Sequence, residues 1–286
     1  QSLHVSPDGS KLAYMEGNGK FIVANIDVDN AELTNPTTLL DGWASPGGIA
    51  WSPDSKWLAY SKEDLYFNSE VYIHPADNSH EPVNVSMHPK GDYDPYWSPD
   101  GKKLGFVSER NNNDADLWFA WLKKEDWEKT SEDWEEMEEE DENGSNGKKD
   151  AEKKETAEVD IDLEKIHERL EQVTGLPGNE SSILISEDGN TFYFVANRSG
   201  RKRYDAEQDL YSIQWDGKKL TRLTENDQKP GALSFDYASG NIYMLKSRGM
   251  LAKINPDKPA LKPISVKAEM NIKYRAELEQ IFEEGW

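Results

Sequence analysis

One short phrase, repeated along the chain, constrains the fold more than anything else. Ser98-Pro99-Asp100-Gly101 runs straight into the apolar stretch Leu104-Gly105-Phe106. Ser6-Pro7-Asp8-Gly9 precedes Leu12-Ala13-Tyr14, and Ser52-Pro53-Asp54-Ser55 precedes Leu58-Ala59-Tyr60. Ser186-Glu187-Asp188-Gly189 is a relative without the proline, and Ser234-Phe235-Asp236 opens a looser fifth copy. The copies start at 6, 52, 98, 186 and 234, so the steps are 46, 46, 88 and 48 residues. Proline fixes φ at the first corner of a turn, Asp accepts nearby backbone N–H groups, and Gly takes a left-handed conformation without a Cβ clash. A strand follows at once, so each phrase is a hairpin corner between antiparallel strands. Corners recurring every forty-odd residues predict an all-β chain, a β-propeller with one four-stranded blade per repeat and at least five blades. The repeated Asp could instead ligate calcium, but one carboxylate per turn is far short of the six or more oxygens calcium takes. Turn chemistry is the better account.

Charge excludes some partners. The 286 residues carry a formal net charge of -22, which argues against nucleic acid and anionic membrane surfaces. Residues 125–158 hold 16 Asp or Glu against 5 Lys, half of the net charge in one stretch. The chain has no cysteine, which removes thiolate chemistry and disulfides but does not decide the compartment. No apolar run is long enough to span a bilayer.

In chain order, the blades are expected near residues 1–40, 41–86, 87–122 with a later completion, 174–226 and 227–262. The 88-residue step holds one blade and an insertion over 123–158, read as acidic and partly disordered. Within it, Trp127, Trp134 and Met137 fall at helical spacing and predict a short helix laying a stripe on the propeller rim. Val159–Asp162 is expected to be a strand, with a turn or strand after it, re-entering the blade. Beyond the propeller (1–262), residues 263–286 change character. Ile264, Val266, Ala268, Met270 and Ile272 alternate like a half-buried strand, and Tyr274, Leu278, Ile281, Phe282 and Trp286 share a helical face. That segment reads as a strand and helix starting a further domain.

No residue stands out as catalytic, metal-ligating or cofactor-binding. His4 precedes a corner and is expected to face a neighbouring blade, and His167 lies among charges. Arg110 with Asp116, and Arg198 with Asp209, recur at equivalent places. That recurrence predicts bracing within each blade rather than substrate anchoring.

The corner with its following Lys-Leu-Ala-Tyr or Leu-Gly-Phe strand resembles the repeats of TolB and tricorn-type propellers. Val159-Asp160-Ile161-Asp162-Leu163-Glu164-Lys165-Ile166-His167-Glu168-Arg169 looks like the segment that re-enters the second propeller of tricorn-like proteases, and Leu176-Pro177-Gly178-Asn179 like the stretch after it. Glu277-Leu278-Glu279-Gln280-Ile281-Phe282-Glu283-Glu284-Gly285-Trp286 is similar to the start of that family's next domain. The resemblance implies a seven-bladed ring, so that either blades precede residue 1 or this chain departs from the family. It also implies a serine peptidase of the S41-like tricorn group whose propeller guides peptides or unfolded polypeptide. PDZ and catalytic domains would lie elsewhere in the parent chain, and the parent would be a homo-oligomer, cytoplasmic or alternatively periplasmic. None of His4, His74, His80, His88 or His167 sits in a matching motif, so no catalytic residue carries over and no cofactor is implied. A non-catalytic TolB-like binding module is the alternative. A prolyl-oligopeptidase propeller is weaker, because no G-x-S-x-G elbow is present.

Overall fold

A computed structural model describes residues 3–17, 19–111, 113–130, 132–134, 136–137, 156–197, 207–267 and 274–285. Five sheets of four antiparallel strands follow one another, each with its strands side by side in chain order. Blade one is β1 (Leu3–Val5), β2 (Lys11–Glu16), β3 (Lys20–Asp27) and β4 (Glu32–Asp41). Blade two is β5 (Gly47–Trp51), β6 (Trp57–Glu63), β7 (Ser69–Pro75) and β8 (Val83–Asn84). Blade three is β9 (Asp92–Trp97), β10 (Lys103–Asn111), β11 (Asp114–Trp121) and β12 (Leu170–Gln172). Blade four is β13 (Asn179–Ile185), β14 (Thr191–Asn197), β15 (Gln208–Gln214) and β16 (Thr221–Arg222). Blade five is β17 (Gly231–Asp236), β18 (Asn241–Lys246), β19 (Met250–Asn255) and β20 (Lys258–Pro263). The first strands of successive blades lie against one another, β1 to β5 to β9 to β13 to β17. They are the inner strands of a radial array.

The corners are built alike. Ser6, Ser52, Ser98 and Ser186 each donate Oγ–H to the Asp two residues on, at 2.6, 2.6, 2.5 and 2.5 Å. Each Ser Oγ also accepts the N–H five residues on, at 2.9, 2.9, 2.8 and 2.8 Å. The Asp accepts a further N–H from Ser10, Lys56, Lys102 or Asn190. The fourth corner residue is left-handed in these four copies, Gly9 at φ +73°, Gly101 at +73°, Gly189 at +74°, and Ser55 at +61° where no glycine stands. In the fifth corner Asp236 instead takes the hydroxyl of Ser239 at 2.6 Å.

Strand alternation sends successive side chains to opposite sides of a blade, so each seam between blades has its own apolar cluster. Phe21, Val23, Leu58 and Tyr60 fill the seam between blades one and two. Ala59, Ile73, Leu104 and Phe106 fill the next. Phe119, Trp121, Phe192 and Phe194 fill the third. Leu184, Leu210, Ile242 and Met244 fill the fourth. Each fully buried side chain of this size contributes about 1.5–3 kcal/mol. The seams are also stitched at the inner strands: Trp51 Nε1 donates to the carbonyl of His4 at 2.9 Å, and Trp97 Nε1 to that of Ala50 at 3.2 Å. His4 therefore does face the neighbouring blade, through its backbone.

Several expectations need correction. Blade three does regain its fourth strand after the insertion, but with Leu170–Gln172 on β11. Val159–Asp162 forms no strand; the Asp162 N–H donates to the Leu122 carbonyl at 2.9 Å and pins the two ends of the insertion together. Over its described part, residues 264–267, the alternation from Ile264 has no regular structure, and Val266 is exposed. Ala268, Met270, Ile272, Trp286 and residues 138–155 lie outside the described residues. The terminal helix is present as Tyr274–Gly285, with Leu278, Ile281 and Phe282 exposed.

Candidate functional site

Because every corner sits at the same end of its blade, the corners gather on one face around the axis. There they frame a cavity of about 610 Å³ lined by residues from all five blades. Blade one contributes Pro7, blade two Trp51 and Pro53, blade three Tyr96, Trp97 and Pro99, blade four Glu187 and blade five Tyr237. Tyr237 donates its hydroxyl to the Ile185 carbonyl at 2.9 Å and lies 3.1 Å from the Tyr96 hydroxyl, which fixes both rings across the axis. Burial raises both phenols above the ordinary range, so they stay neutral. The wall is therefore rings and prolines with the two tyrosine hydroxyls and the carboxyl groups of Asp100 and Glu187 among them, a surface suited to polypeptide side chains.

The insertion completes the wall. Thr156 and Ala157 line the cavity. They are held there because the Val159 N–H donates to Asp54 Oδ2 at 3.1 Å and Lys56 pairs with Glu158 at 2.7 Å. At its neck, Lys123 pairs with Asp160 at 2.6 Å, and Arg169 is buried while donating to the carbonyls of Trp121, Leu122, Asp162 and Glu164. On its outgoing arm, α1 (Lys124–Trp127) leads to a helical stretch at 132–134 and 136–137. Trp134 is buried and stacks on Trp121 at 5.2 Å, 11° from parallel. The expected stripe is a single anchor, since Trp127 and Met137 are exposed. Under Trp134, Lys103 Nζ lies 4.5 Å from the Trp121 ring and 5.8 Å from those of Trp134 and Trp215. Burial pulls its amine down to about 8, while the ring faces offset part of the cost of keeping it charged.

The residues weighed from sequence are scattered. His74 is buried, with Nδ1 3.1 Å from the Tyr60 hydroxyl and Nε2 2.9 Å from Asn78 Oδ1. His80 lies against Trp57, and the His88 backbone N–H donates to Glu70. No described histidine side chain is hydrogen-bonded to a serine, and among the described residues no three His, Asp or Glu side chains gather as metal ligands would. Arg110 braces as expected, but with a different partner. It meets Asp92 at 3.1 Å and Ser108 Oγ at 2.7 Å and lies over the Trp118 ring, so it does not pair with Asp116. Asp209 pairs with Arg222, and Arg198 lies outside the described residues. The rings of this wall were missed because Tyr96 and Trp97 read only as strand residues and Tyr237 only as part of the fifth corner. The signal that could have found them is the shared offset of Trp51 and Trp97, each just ahead of its corner.

No family model matches the chain. A tricorn protease homolog of Saccharolobus solfataricus is 26% identical over 114 residues, 39% of this chain and 10% of that protein. The crystal structure of the tricorn protease superposes on all of this chain with a TM-score of 0.70 at 13% identity, over 28% of its own length. The fold is that of a tricorn-like β-propeller. TolB from Acinetobacter baumannii matches 93% of this chain with a TM-score of 0.55 at 15% identity, over 54% of that protein. The chain thus corresponds to a small part of the long relatives it matches. Among the described residues no helix is long and apolar enough to cross a membrane.

Proposed function

We propose that this propeller guides or gates peptide substrates for a tricorn-like serine peptidase whose nucleophile and base stand in other domains of the parent protein. The observation that carries the reading is the corner-face cavity, where rings and prolines of blades one, two, three and five converge with Glu187 of blade four and the insertion supplies one wall. An extended polypeptide could lay side chains on such a surface while its backbone stays solvated. The exposed apolar side chains of the Tyr274–Gly285 helix support contact with the next domain of the parent. Further blades, PDZ and catalytic domains, and other copies of the chain would complete the assembly.

The chain has no cysteine, so Ala157→Cys gives a single labelling site on the cavity wall. A fluorophore there should respond saturably to short unstructured peptides, and a bulky adduct should slow peptide hydrolysis by the parent while leaving a minimal substrate unaffected. The purified chain should hydrolyse nothing by itself. No peptide response, or hydrolysis by this chain alone, would sink the proposal. The second reading is a TolB-like binding module, favoured by the likeness to a TolB over most of this chain. It predicts one tight folded-protein ligand at the same cavity and no dependence of any peptidase on the adduct.

A further inference from the structure

Away from the axis, on the face opposite the corners, blades one and two present large apolar side chains to solvent. Leu65, Tyr66 and Phe67 are 80%, 84% and 74% exposed, and Trp43 is 57% exposed. The β6–β7 loop is a closed turn in which Asp64 Oδ1 accepts the N–H groups of Tyr66 at 2.7 Å and Asn68 at 2.9 Å. The Asn68 side-chain amide reaches Asp64 Oδ2 at 3.2 Å, and the Asp64 N–H closes the loop on the Asn68 carbonyl at 2.8 Å. Phe67 is held at φ +63°, a conformation that costs an aromatic residue free energy, and its ring meets Trp43 edge-on at 5.7 Å. A rigid turn that spends strain to point three large apolar groups outward is preorganised for contact. Exposed contiguous apolar surface of this kind marks interaction sites.

Beside the knob runs a groove of about 320 Å³ floored by Leu40, Ala44 and Tyr72. Its rim carries Asp41, Glu63 and Asp64 against one cation, Lys62, whose Nζ lies 5.0 Å over the Tyr72 ring. The rim is thus net negative, on a chain of net charge -22. A second copy placed face to face would set like charges against one another, and an anionic lipid surface would be repelled. We propose that this face docks a cationic polypeptide segment, which seats an apolar side chain between Trp43 and Leu65 and sets Lys or Arg against Asp41, Glu63 and Asp64.

The test uses two synthetic peptides with the same Trp and Leu anchors, one flanked by lysines and one by glutamates. They are titrated into the wild-type chain, into Tyr66→Ser/Phe67→Ser and into Glu63→Lys. Both variants alter exposed side chains, and melting curves check that they remain folded. The lysine peptide should bind saturably and weaken at least tenfold in the double variant and several-fold in Glu63→Lys, while the glutamate peptide should not bind. Equal binding of both peptides, or undiminished binding by the double variant, overturns the proposal. So does concentration-dependent self-association of the wild type that the double variant abolishes, which would assign the face to a second copy.

Discussion

Blades three and four close their outer edges with the same parts and balance them differently. In each, a threonine follows the last strand and accepts an N–H from the third strand. Thr174 Oγ1 takes that of Leu117 at 2.8 Å, and Thr224 Oγ1 that of Leu210 at 2.9 Å. Blade two does the same with Ser86 and Val71 at 3.0 Å. In blade four, Thr224 then donates to Asp209 at 2.8 Å, and Asp209 also takes Arg222 at 2.5 Å and the N–H groups of Asp227 and Gln228. In blade three, Thr174 donates across the seam to Glu180 on β13 at 3.0 Å. Asp116, the counterpart of Asp209, takes Gln172 Nε2 at 3.2 Å on one oxygen, and its Oδ1 finds no donor. Asp116 and Glu180 are both buried and within hydrogen-bonding reach of each other. Burial first, and for Glu180 also the neighbouring Asp116 charge, hold both carboxyls above their ordinary range. Identical scaffolding thus gives a carboxylate with four donors in one blade and a pair of carboxyls raised above their ordinary range in the next. What differs is the supply of donors, not the backbone.

The contrast can be broken at its strongest point by Asp209→Ala. Losing the acceptor leaves the buried Thr224 hydroxyl and the N–H groups of Asp227 and Gln228 without their partner, while the exposed Arg222 keeps Glu207, and should cost on the order of 3 kcal/mol, read by urea denaturation. Thr224→Val removes one donor from the same carboxylate and should cost about 1–3 kcal/mol. A smaller effect than either in blade three would mean that its acids already share a proton. Glu180→Gln should move the other way and stabilise the chain at neutral pH by on the order of 1 kcal/mol, the worth of about one pKa unit. The sign follows from linkage: a carboxyl raised in the folded state contributes stability below its unfolded pKa and loses it as pH rises through its folded one. The wild type should therefore weaken on going from acid toward alkaline pH through this pair, and the variant should lack that slope. An unchanged slope would place the proton elsewhere. Lys103→Met in the Trp cage of the same seam should also have a small effect, within about 1.5 kcal/mol at neutral pH because volume is conserved. Here the folded pKa is depressed to about 8 from 10.5. The wild type should gain stability as pH rises through that window, and the variant should not.

The corners, their spacing and all five blades were legible in the residues, because a Ser-Pro-Asp-Gly turn is a local structure with local causes. The insertion was legible as a break in period, and its return to blade three was too. Its anchoring was not, since helical spacing cannot tell Trp134, which finds the Trp121 ring, from Trp127, which finds water. The pairing of Arg110 failed for a related reason. Asp92 and Asp116 lie on the two strands that flank β10, and only the β9–β10 register, with Asp92 opposite Ser108, leaves Arg110 beside the first.

The sequence by itself determined that this chain makes four-stranded units one after another, since turn chemistry and alternation act over a few residues. Only the tertiary structure decided which side chains meet on the axis, which carboxyls lack a donor, and that Leu65, Tyr66 and Phe67 are left uncovered. Those outcomes depend on contacts between residues forty to a hundred and forty positions apart, such as Trp51 with His4 and Tyr96 with Tyr237, and no local pattern encodes them.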